Sequence, residues 1–164
     1  MITIIGANGY IGKHLSFHLH NLGLSLNTLS SSSYGLNPID GQFPVDFTFP
    51  KSDVVVYLSQ SPYFREVPEH ACHLLSVNYL SAVNAALMGI RSGAKRFIYL
   101  STGPVYSDSF SPISESHSLR RDSWYPLSKI HAEESLLLLS NQIDIHILRP
   151  FGIYGPNQFG IEDQ

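Results

Sequence analysis

Ile2-Thr3-Ile4-Ile5-Gly6-Ala7-Asn8-Gly9-Tyr10-Ile11-Gly12 decides how this chain is read. Ile2 to Ile5 form a short apolar, β-branched run stopped by glycine, the pattern of a buried strand. Ile11, Leu15, Leu19 and Leu22 then recur at helical spacing, and Gly23 is placed to stop the helix. The three glycines therefore lie between a strand and a helix. Small residues there let backbone approach a pyrophosphate, and the free N–H groups of a helix start attract its charge. The competing reading is a glycine turn that only permits tight strand–helix packing.

Outward from this loop, apolar strands alternate with helices. Strands are expected at Leu24 to Leu29, Val54 to Leu58, Arg96 to Leu100 and Ile143 to Leu148, with a short one within Phe43 to Phe49. Helices are expected at Glu69 to Arg91 and from Tyr125 through Leu139. Tyr34 to Gly41 and Ser107 to Asp122 read as loops, and 151–164 as a terminal loop. The alternation implies a parallel sheet with helices on its faces. Between Leu29 and Val54 there is no room for a useful helix, so the first half of the sheet is lean.

Composition narrows the function. The 164 residues suit one domain, and 43% hydrophobic with 14% charged content excludes a disordered chain. A net charge of −3 gives no argument for nucleic acid or an anionic membrane surface. The apolar run at the N-terminus is too short for a signal peptide or a span, which points to a cytoplasmic protein. The eight histidines are scattered, with no metal-ligand spacing among them, so no metal is expected. The single cysteine, Cys72, excludes an internal disulfide and reads as a small buried thiol.

Tyr125-Pro126-Leu127-Ser128-Lys129 places a tyrosine and a lysine four residues apart at a helix start, where they share a face. A chain of this composition yields roughly 0.2 such pairs by chance, so the pair gains meaning only from its surroundings. A nearby cation favours a phenolate, and a tyrosine so tuned can exchange a proton with a substrate hydroxyl. Glu133 and Glu134, further along, read as the helix's solvated face.

Together these segments resemble the extended short-chain dehydrogenase/reductase family, which includes nucleotide-sugar epimerases and dehydratases. GANGYIGKHL resembles its opening, DVVVYLSQS its fourth strand, SVNYLSAVNAA the following helix and KRFIYLSTGPVYS its fifth strand and Ser/Thr loop. YPLSK matches YxxxK, and ILRPFGIYGP resembles the segment that passes the nicotinamide. The resemblance implies a Rossmann-like, doubly wound parallel sheet with helices on both faces, formed by 1–164 as one NAD(P)-binding domain. It implies NAD or NADP as cofactor, a nucleotide-sugar substrate, and a homodimer through a four-helix interface. Thr102, Tyr125 and Lys129 take the catalytic positions, with Ser101, which reads as a strand-end residue, the competing choice for Thr102. Cofactor contacts fall on Gly6, Asn8, Gly9, Tyr10, Ile11, Gly12, Ser30, Asp46, Phe47, Leu58, Ser59, Gln60, Asn78 and Leu100, then Tyr125, Lys129, Pro150 and Ile153.

Departures from the pattern bear on function. Dinucleotide folds carry an acid about 20 residues past the loop for the ribose, and Ser30 stands there, leaving NAD against NADP open. Gly152 replaces a common asparagine, and Gly103-Pro104 replace the Asp-Glu pair of many dehydratases, which favours an epimerase or reductase. Members of the family usually carry a second, substrate-binding half, which the resemblance does not locate within these 164 residues. The alternatives are therefore an enzyme, a non-catalytic dinucleotide-binding module, or a fragment of a longer enzyme.

Overall fold

In the computed structural model, residues 1–31 and 36–156 are described. Five parallel strands form one sheet: β1 (Ile2–Ile5), β2 (Leu26–Leu29), β3 (Val54–Tyr57), β4 (Arg96–Leu100) and β5 (Asp144–Leu148), in the order β2-β1-β3-β4-β5. The register pairs Ile4 with Thr28 on one side and Val56 on the other, then Val56 with Ile98. α1 (Tyr10–Asn21) follows β1; α2 (Ala71–Leu75), a π-helical turn (Ser76–Leu80) and α3 (Ser81–Arg91) follow β3; α4 (Trp124–Leu137) precedes β5.

Side-chain alternation along the strands divides the core into two layers. Ile5, Val55, Tyr57, Phe97 and Tyr99 face α3 and α4, where Ala82, Ala85, Ala86 and Ala132 let the helices approach closely. Ile4 and Val56 face the other way, onto Leu15 and Leu19 of α1. Helices thus cover both faces, as the alternation of elements implies. The 71–91 helical run is long and apolar enough to cross a bilayer by length and composition, but its inner side packs on this sheet.

The lean first half has a specific substitute for a helix. Phe43 to Phe49 is not a strand, contrary to expectation. Pro44 and Pro50 lack the N–H that a ladder needs, and Phe47 N–H turns back to the Pro44 carbonyl at 3.0 Å. Phe43 and Phe47 stack with centroids 5.1 Å apart, and with Phe49 they plug the edge of the core. Cys72 is exposed rather than buried, because α2 turns its neighbours Ala71 and Leu74 inward. The serines at 32–33 and most of the terminal loop, from 157 on, lie outside the described residues.

Two phenols of the sheet reach the π turn. The Tyr57 hydroxyl donates to the Val77 carbonyl and the Tyr99 hydroxyl to the Asn78 carbonyl, both at 2.6 Å. These carbonyls accept from the sheet below, which is compatible with a widened turn. Burial pushes both phenols well above their ordinary pKa, so each stays a donor. Replacing Tyr99 by Phe leaves the Asn78 carbonyl buried without this donor. Chemical denaturation should show a loss of about 1–3 kcal/mol.

Candidate active site

The end of β1 sets the cleft. Gly6 has φ +90°, and a Cβ there would lie 2.8 Å from the Ser59 backbone nitrogen, so the ends of β1 and β3 close on each other only through glycine. At Gly12 a Cβ would meet the Gly6 carbonyl and the Ala7 backbone. These two glycines satisfy the packing reading of the loop. Gly9 does something else: it caps α1 with extended backbone, and no side chain caps the helix's first turn. Those N–H groups open on a cleft of about 470 Å³.

This cleft lies where the chain reverses its course across the sheet, between β2 and β3 on either side of β1, the position at which open α/β sheets take ligands. Asn8, Gly9, Ser30, Leu58, Gln60 and Ile153 line it. None of its described lining residues is Asp, Glu, Lys or Arg. A diphosphate would therefore be held by backbone N–H groups and the helix dipole. Asn8 Nδ2 donates to Ser30 Oγ at 3.0 Å, which sets the hydroxyl where a ribose acid would stand.

The Tyr125–Lys129 face of α4 meets the far end of the cleft. Tyr125 sits in the first helical turn, and its hydroxyl donates to Gln60 Oε1 at 2.9 Å. Lys129 is 2% exposed; its Nζ donates to the Leu100 carbonyl at 3.0 Å and lies 5.0 Å over the Tyr99 ring. Burial lowers its pKa to about 7, and Glu133 pulls it back up. Burial raises the Tyr125 pKa, while a hydrogen bond from Thr102 lowers it. The depression of Tyr125 by Lys129 expected from sequence is not present here, because the ammonium points at a carbonyl and not at the phenol.

The model of the NAD dependent epimerase/dehydratase family matches residues 2–163. The chain belongs to this family. A curated UDP-glucose 4-epimerase of Vibrio cholerae is 28% identical over 94% of this chain and 52% of its own length. GDP-6-deoxy-D-mannose reductase of Pseudomonas aeruginosa is 25% identical over 96% of this chain and 53% of its own. The structure of RMD from Pseudomonas aeruginosa complexed with NADPH superposes with a TM-score of 0.77 at 25% identity, over 96% of this chain and 56% of that one. The chain thus spans about half the length of the curated relatives it matches.

In this epimerase/dehydratase-family chain the sequence-assigned cofactor residues separate into groups. Gly6, Asn8, Gly9, Tyr10, Ile11, Gly12, Ser30, Leu58, Ser59, Gln60, Leu100 and Ile153 line the cleft. Asp46 and Phe47 do not; Phe47 sits in the aromatic plug and borders a groove beside β2. Asn78 is fully buried behind Tyr125, accepting from Ser61 N–H and donating to Ser128 Oγ, both at 3.0 Å. Pro150 offers its carbonyl to Gly103 N–H at 2.7 Å.

Two features escaped the sequence reading. His73 lines the cleft and bridges Ser61 Oγ and the Pro38 carbonyl, at 2.9 and 3.1 Å. Glu133 is 2% exposed, not solvated: it pairs with Arg149 from the end of β5 and accepts from the Ser101 hydroxyl. Its place four residues after Lys129 was the available signal. Only Glu134 faces outward, toward Arg121.

Lys129 makes stability depend on pH. Folded, it releases its proton at about 7; unfolded, a lysine does so near 10.4. Between these values the unfolded chain binds more protons, so stability rises with pH, and the full cost of the buried charge is present below 7. Denaturation from pH 6 to 9.5 should show this rise. Lys129→Met should abolish it and exceed wild type at pH 6, by on the order of 1 kcal/mol or more.

Proposed function

We propose that this chain is the cofactor-binding and proton-transferring part of an NAD(P)-dependent enzyme acting on a nucleotide-linked sugar, as an epimerase or a reductase. The observation that carries the reading is the join between cleft and helix: Tyr125 is hydrogen-bonded to Gln60, which itself lines the glycine-loop cleft. The fit to a dinucleotide rests on the uncapped α1 terminus and the space in front of Gly9. In the bound state the nicotinamide would accept or supply hydride.

The chain's own residues supply the rest. The α1 N–H groups bind the diphosphate, and Asn8 with Ser30 presents hydroxyl and amide to the adenosine ribose. Neutral partners of this kind suit NAD and NADP alike. Tyr125 holds the proton that moves to or from the sugar oxygen, and Thr102 orients that oxygen. Burial favours the protonated phenol, so Tyr125 holds its proton before the reaction. Gly103-Pro104, in the 3₁₀ turn after Thr102, carry no acid or base for elimination, which disfavours a dehydratase.

In this reading 1–164 is one dinucleotide-binding domain working in the cytoplasm. A homodimer through the long helices belongs to it as well, since Leu137, the last residue of α4, and Leu138 after it are 52% and 80% exposed. Nucleotide sugars are the substrates because both curated relatives are named for them.

Titration of the chain with NADH and NADPH, followed by nicotinamide fluorescence, should give saturable binding of both, within about tenfold of each other. No binding of either would overturn the proposal. Tyr125→Phe, which keeps the ring, should still bind NADH saturably, yet lose about 10²–10⁴-fold in turnover of UDP- or GDP-sugars. Wild-type binding without any turnover would favour a non-catalytic module.

A further inference from the structure

Two consecutive residues where β4 ends hold two residues of one α4 face. The Leu100 carbonyl accepts from Lys129 and the Ser101 hydroxyl donates to Glu133, while Thr102, next in sequence, holds the Tyr125 pKa down. Tyr125, Lys129 and Glu133 recur every four residues, which places them in one column. Arg149 closes the arrangement from β5. Its Nε donates to both Glu133 oxygens at 3.1 and 3.2 Å, and its Nη2 donates to Oε2. Tyr106 braces the guanidinium by hydroxyl (2.8 Å) and by ring (4.9 Å).

A buried ion pair is a poor device for stability, since apolar residues of similar volume usually do as well. Its charge and geometry therefore call for another account. We propose that Glu133 is a positioning residue: clamped by Ser101 and Arg149, it seats the α4 face on β4 and keeps the buried Lys129 ammonium charged beneath Tyr125. The inference rests on the Tyr125–Lys129 reading and adds Glu133 and Arg149 to it.

The groups around Lys129 support this assignment. Tyr125 and Glu133 face it from its own helix, Tyr99 from β4 with Tyr57 beside it, and Arg149 approaches from β5 through its ion pair. Tyr57 and Tyr99 stay neutral phenols. Among the described residues Glu133 is thus the one carboxylate acting on the ammonium, opposing the burial that favours a neutral amine. Arg149 tempers that charge by sharing it.

The test is a pH titration of the Lys129 side chain by ¹⁵N NMR on the full chain, with NADH binding measured in parallel. Glu133→Gln should lower the Lys129 pKa by about one unit or more. Arg149→Met should raise it, because the Glu133 charge is no longer shared. Glu133→Asp, which retains the charge but draws it back, should fall between wild type and Glu133→Gln. If Glu133→Gln does not fold, the Glu133→Asp shift decides. A Lys129 pKa unmoved in the Glu133 variants, or shifted the same way by Glu133→Gln and Arg149→Met, overturns the inference. A purely structural anchor would give that result. Failure of wild type to bind NADH would instead defeat the cofactor reading, whatever Lys129 does.

Discussion

A lysine ammonium buried to 2% exposure, donating to the carbonyl at the end of β4, is the constraint around which this molecule is arranged. Such a charge is costly in an apolar interior. The surroundings lessen the cost: the Tyr99 ring lies below it, the Leu100 carbonyl in front of it, and Glu133 one turn further along the helix. Each of these neighbours is itself committed. Tyr99 holds the π turn, and Glu133 ties β5 to α4. The core under α4 is thus built to keep a cation dry, and the tyrosine one turn earlier lies at the edge of the cleft.

The other end of the cleft works by the opposite means. None of its described lining residues is Asp, Glu, Lys or Arg, and no side chain caps the backbone N–H groups that begin α1 beside it. Gly6 and Gly12 are required by close packing, whereas a Cβ at Gly9 would meet only the Gly6 carbonyl, at 3.3 Å, and Gly9 lies on the cleft wall. The packing reading thus accounts for two of the three glycines. Parallel pairing of β1 with β2 and β3 brings the two ends into one cleft.

Much of this was legible in the sequence because it is local. β1 and β4 lie where their β-branched and aromatic runs place them, and the missing helix before β3 shows as a lack of room. What failed to show was tertiary. Phe43, Phe47 and Phe49 look strand-like, yet they serve as a plug whose prolines exclude a ladder. Cys72 falls on the outward side of a short helix. Glu133 reads as a surface charge until Arg149 arrives from β5, and Lys129 reads as Tyr125's partner until its ammonium turns to Leu100. In the last two cases the partner came from elsewhere in the sheet: the Leu100 carbonyl of β4 for Lys129, and Arg149 from the end of β5 for Glu133.

The account's central claim is that one cleft joins the glycine loop to Tyr125. A crystal structure of this chain with NADH tests it most directly. The account predicts the diphosphate on the N–H groups that begin α1 and the nicotinamide ring beside Gln60 and Tyr125. A dinucleotide bound elsewhere, or bound with its nicotinamide away from Tyr125, would contradict it.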